Sequence, residues 1–78
     1  MGNFEDAILK FKFTLEFDSE ADFIHETYIN IGKCYFQIGD FDNALTNLLI
    51  GKSIAEKRSI DKWVREAEKL ISEINGDS

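Results

Sequence analysis

The sequence predicts an all-α fold of antiparallel helical hairpins, about four helices in one domain over residues 1 to 78. Three observations predict it. Apolar residues recur at three- and four-residue spacing along most of the chain, the period of a helix with one buried face. Segments of the chain repeat one another at a fixed offset, as helical arrays do. The stretch "GKCYFQIGDFDNALTNL", residues 32 to 48, places Gly39-Asp40 between two such patterns, a helix stop followed at once by a helix start.

The internal repeat is visible twice. "GNFEDAILKF", residues 2 to 11, matches "GDFDNALTNL", residues 39 to 48, at an offset of 37. Gly, Phe and Ala coincide, acids or amides surround them, and an apolar residue closes both. "TYINIGKCYF", residues 27 to 36, matches "KWVREAEKLI", residues 62 to 71, at an offset of 35, setting Tyr28 on Trp63, Gly32 on Ala67 and Tyr35 on Leu70.

Each helix follows from its spacing. The first, about 3 to 17, aligns Phe4, Ala7, Ile8, Phe11 and Leu15 on one face behind a candidate N-cap, Asn3. Within it "KFKFTLEF", residues 10 to 17, also alternates like a strand. The helical repeat, which matches Phe11 to Leu48, decides for helix. "FDSEAD" breaks the pattern, and a second helix, about 21 to 38, carries Ile24, Tyr28, Ile31, Tyr35 and Ile38. Gly32 inside it costs roughly 0.5 to 1 kcal/mol relative to alanine, which close approach of a neighbouring helix would offset. Gly39 ends the helix in the left-handed conformation and Asp40 caps the third, about 41 to 55, whose buried stripe is Phe41, Ala44, Leu45 and Leu48. After "EKRSI", Ser59 or Asp61 is positioned to cap a fourth helix, about 60 to 75. Ile60, Trp63, Val64, Ala67, Leu70, Ile71 and Ile74 form its stripe, and Asn75-Gly76 closes it.

Composition narrows the function. At 44% hydrophobic and 13% aromatic residues the chain is too apolar to be disordered. No run approaches the roughly 20 apolar residues of a membrane helix, and acids stand in "MGNFEDAILKF" where a signal peptide has a basic region, so a soluble protein away from membranes is expected. Cys34, the single cysteine, cannot form an internal disulfide, which favours the cytoplasm. With His25 it leaves a metal site short of ligands, so the expected roles are a surface histidine and a small buried thiol, with no metal and no cofactor. Net charge is −6, nine basic against fifteen acidic residues; residues 1 to 42 hold nine acids and three lysines, which is already −6. Such a balance argues against nucleic acid, whose phosphates need a basic stripe. Acids two apart, such as Glu66 and Glu68, face different ways on a helix, Asp40 and Asp42 read as caps, and no phosphate loop or nucleophile motif is present, so the chain is not expected to be an enzyme.

Tyr28, Ile31, Gly32 and Tyr35, followed by Gly39, Phe41, Ala44 and Leu48, with Gly51 at the next small position, give residues 25 to about 58 a pattern that resembles a tetratricopeptide repeat. The family's proline near the repeat end is replaced by about Glu56, so the third helix can run on. Residues 2 to 14 resemble the second helix of a repeat, and residues 60 to 75 a first helix or a solvating end cap. The resemblance implies a scaffold that holds a partner protein or peptide in a groove lined by first helices. Carried over, that groove comprises Glu26, Ile29, Asn30, Lys33, Phe36 and Gln37 on the second helix, and Asp61, Val64, Glu68, Ile71 and Ser72 on the fourth. Members that clamp a terminal carboxylate need a fuller basic and amide set than Asn30, Lys33 and Arg65 with Asp61 among them. The first helix carries Phe4, Ile8, Phe11, Phe13, Leu15 and Phe17 around more than one face, and the helix that would cover it is not in the chain. The alternative reading is therefore an oligomerisation unit, a homodimer joined through that aromatic helix.

Overall fold

A computed structural model describes residues 3–17 and 23–76. It contains four helices, α1 (Asn3–Phe17), α2 (Ile24–Ile38), α3 (Phe41–Lys57) and α4 (Asp61–Asn75). No strand occurs among the described residues, and the alternating octet 10–17 is helical. The predicted start of the second helix at 21, and most of the "FDSEAD" break, lie outside the described residues; α2 begins at Ile24, behind Phe23.

Local chemistry sets the helix ends. Gly39 takes φ 93° after Ile38. Its N–H donates to the carbonyls of Tyr35 and Phe36, and the Asp40 N–H reaches back to Tyr35 O at 3.0 Å, so the last carbonyls of α2 are satisfied as in a Schellman motif. The Asp40 carboxylate then accepts from Asn43 N at 3.3 Å and from the Asn43 side-chain amide at 2.7 Å, capping α3. α3 runs to Lys57, two residues beyond the predicted 55, as the missing proline permits.

The α3–α4 junction departs from expectation. Neither Ser59 nor Asp61 caps α4; Ile60 holds that position, with no side-chain cap bond. Ser59 instead sits at φ 58°, the left-handed place that Gly39 fills after α2. Its N–H donates to Glu56 O, while the Ile60 N–H donates to Ala55 O at 2.9 Å. The serine is therefore used for its backbone, and the first-turn charge of α4 comes from Asp61.

Packing follows chain order. Each helix lies against the next, α2 also meets α4, and α1 touches α2 alone. The described helices form a slab of 37 × 36 × 16 Å. Two glycines allow the central hairpin to close. A Cβ on Gly32 would lie 2.6 Å from Leu48 Cγ, and one on Gly51 would lie 2.6 Å from Ile29 Cγ1. The close approach that Gly32 requires is therefore to α3, and Gly51 returns it. Ile29, Leu48 and Ala67 are fully buried at the centre, with Trp63, Leu70, Ile71 and Ile74 of α4 packed over them.

Candidate functional site

Two surfaces collect the predicted site residues. The first lies where α2 meets α4. Lys33 Nζ bonds Glu66 Oε1 at 2.9 Å and stands 5.6 Å from the centre of the Trp63 ring. Lys62 Nζ lies 6.0 Å from the same ring, so two cations flank one indole. These four side chains line a cleft of about 250 Å³. The hydrogen bond from Lys33, and then its charge, hold the Glu66 carboxyl below the usual carboxylate range.

Along α2 beside this cleft, Glu26, Asn30, Lys33 and Gln37 follow each other at helical spacing on one side. Glu26 and Asn30 are half-buried and Gln37 is exposed. None of those three makes a hydrogen bond or ion pair among the described residues. The remaining groove predictions do not gather there. Ile29 has 0% exposure and fills the core opposite Gly51, so it is not a groove residue. Phe36 packs edge-on against Phe41 of α3, ring centres 5.6 Å apart. Val64 is half-buried, Ile71 packs over the core, and Glu68 pairs with Lys52 of α3 at 3.4 Å.

The reason is that several transferred positions fall on the sides of α2 and α4 that pack inward, Ile29 and Ile71 on the core and Phe36 on Phe41. Carrying the α2 positions forward by the repeat offset selects 61, 64, 68, 71 and 72. Trp63, Ala67, Leu70, Ile71 and Ile74 seat the helix on the core instead, which turns Lys62, Trp63 and Glu66 toward α2. Trp63 was legible as a member of the fourth helix's apolar stripe and as the partner of Tyr28 in the repeat, but not as part of a site, and Glu66 carried no sequence signal beyond a charge able to face Lys33.

His25 corrects another expectation. It is 4% exposed, not a surface residue, and its ring meets Trp63 edge-on at 6.0 Å. Its Nδ1 is buried without a hydrogen-bond partner. Cys34 is half-buried, and burial pushes its thiol above the ordinary range. Among the described residues no group of three or more histidine, cysteine or acidic side chains could hold a metal ion. None of the described helices is long and apolar enough to cross a membrane.

The second surface is α1. The structure divides the five described residues of the six predicted for self-association between two faces. Ile8 is buried at 5% exposure against α2 and reaches the surface only at the edge of a cleft; Phe11 and Leu15, three and seven residues on, are half-buried on the same side. Phe4 and Phe13 remain 47% and 64% exposed. Phe17 ends the helix, and its side chain lies outside the described residues. Leu9, absent from the predicted set, is 66% exposed one turn before Phe13. Lys12 donates to the Tyr35 hydroxyl at 2.8 Å and so ties α1 to α2. Beside that bond, Glu5, Ile8, Leu9, Ile38 and Asp40 edge a cleft of about 390 Å³.

No family model, curated protein or solved structure matches this chain.

Proposed function

We propose that the chain is a protein-interaction module of the tetratricopeptide kind, working in the cytoplasm without cofactor or catalysis and holding a peptide segment across the α2/α4 face. The observation that carries this reading is the row Glu26, Asn30 and Gln37, hydrogen-bonding side chains without partners among the described residues, beside a tryptophan flanked by Lys33 and Lys62. An extended peptide offers a backbone donor and acceptor at every residue, and amide side chains in a row on a rigid helix are suited to pair with them. With Ile29 in the core and Phe36 on Phe41, the face lacks the apolar floor that an amphipathic helix needs, so an extended segment is the better occupant. The glycine contacts at Gly32 and Gly51 support the family reading, because they join α2 to α3 at the small positions where the repeat pattern requires contact.

The test is a displayed library of random peptides selected on the folded protein, with the enriched sequences measured by calorimetry. Removing two neutral hydrogen bonds is worth about 1 to 3 kcal/mol, so the Asn30→Ala, Gln37→Ala double variant should bind at least about fivefold more weakly. Leu49→Ser on α3 should bind as the parent does. Equal affinity in the parent and the double variant, or no enrichment at all, would overturn the reading.

A further inference from the structure

The exposed side of α1 goes beyond that reading, and no residue lining it belongs to the α2/α4 cleft. Leu9 and Phe13 lie one turn apart on it, 66% and 64% exposed. Leu9 also edges the cleft in which Ile8, Tyr35 and Ile38 supply apolar walls. A shallower hollow lined by Leu9, Lys10 and Phe13 continues from it along the helix. The result is an apolar strip that runs from the end of α2 over Leu9 to Phe13.

The charges around the strip select its occupant. Glu5, Asp6 and Glu16 stand exposed on α1, and Asp40 and Asp42 stand where α3 begins. Against these five acids the same region holds two lysines, Lys10 and Lys12, for a balance of 2 − 5 = −3. Lys12, itself exposed, is engaged with α2, donating to the Tyr35 hydroxyl and lying 5.4 Å from its ring. We infer that this strip docks a partner's amphipathic helix whose apolar stripe is flanked by lysine or arginine. A second copy of the chain would bring the same excess of negative charge to the contact, and each molecule carries −6 overall, so self-pairing through α1 works against its own electrostatics.

The probe is a leucine–lysine amphipathic helix of about 18 residues, five turns, with leucine at one-face spacing. Two controls accompany it: the same composition scrambled to destroy the stripe, and the same stripe with glutamate replacing lysine. The inference predicts binding of the first peptide only, weakening as salt is raised, with amide shifts concentrated on α1 and the end of α2. Leu9→Gln, at an exposed site, should weaken it about tenfold. Glu5→Lys should weaken it further at low salt, while the equal charge change Glu73→Lys on α4 should not. Comparable losses from Glu5→Lys and Glu73→Lys would reduce the effect to net charge and overturn the inference. So would shifts that fall on α4, or a molar mass that doubles with concentration and returns to monomer in Leu9→Gln, which would make the second copy the occupant. Because Asn30→Ala and Gln37→Ala lie on the other face, their effect on library peptides is read independently.

Discussion

Gly51 and Gly32 show how a single missing methyl group decides whether two helices can touch. A Cβ at Gly32 meets Leu48 Cγ at 2.6 Å and Cδ2 at 2.8 Å, side-chain atoms of a residue with no exposure and therefore little room to turn. At Gly51 the added atom meets Ile29 Cγ1 at 2.6 Å and also the His25 carbonyl and Ile29 nitrogen at 3.1 Å, which are helix backbone. Alanine returns roughly 0.5 to 1 kcal/mol of helix propensity, whereas overpacking costs typically 1 to 3 kcal/mol. Both alanine variants should therefore be destabilised, Gly51→Ala more than Gly32→Ala, as denaturant midpoints will register. Glu66 gives a pH-dependent counterpart. Its carboxyl titrates lower in the folded chain than in the unfolded one, so its contribution is present above the ordinary carboxylate range and is lost as pH falls through the folded value. With side chains 37% and 41% exposed, the pair with Lys33 is worth at most about 1 kcal/mol. In Glu66→Gln that small increment should vanish at neutral pH, and the difference from the parent should close in acid or high salt.

Helix ends divide into those the sequence spells out and those it does not. Gly39 and Asp40 were readable because each residue type has one strong reason to be there, positive φ in the first case and a short acceptor in the second. Asp40→Ala should lower stability by about 1 kcal/mol, measured as a shift in thermal midpoint. The α3–α4 junction was not readable, because Ser59 looks like a cap and acts as a left-handed linker at φ 58°. A non-glycine residue in that conformation costs roughly 1 to 2 kcal/mol. Ser59→Gly should thus stabilise the chain by up to about 1 kcal/mol after the glycine's own entropy is counted, and a destabilised variant would mean that the Ser59 side chain has a role of its own. The groove failed for a related reason. The apolar stripe identified the face of α4 that packs inward, Trp63, Ala67, Leu70, Ile71 and Ile74, but the groove positions carried over include Ile29 and Ile71, which lie on the packed sides of their helices. Periodicity identifies which residues share a face; only packing determines what that face meets.

Attachment of the helices to one another is uneven. α2 is held by three neighbours and α3 by two, whereas α1 rests on α2 alone through the side that holds Ile8. The far side of α4 is polar, with Arg65 and Lys69 exposed, so that end is suited to water. The far side of α1 carries Leu9 and Phe13 instead. An element with one neighbour and a half-exposed apolar surface has the least burial to lose on opening, so its opening free energy lies at the low end of the molecule's range. Amides of α1 should exchange with deuterium before those of α2 and α3, in an opening that leaves the Gly32 and Gly51 contacts closed. Tyr35→Phe deletes the hydroxyl that Lys12 reaches and should speed α1 exchange while leaving the core amides of α3 nearly unchanged. If α1 instead exchanged together with α2 and α3, at the rate of global unfolding, the four helices would open as one unit and the single α1–α2 contact would carry more than its geometry indicates.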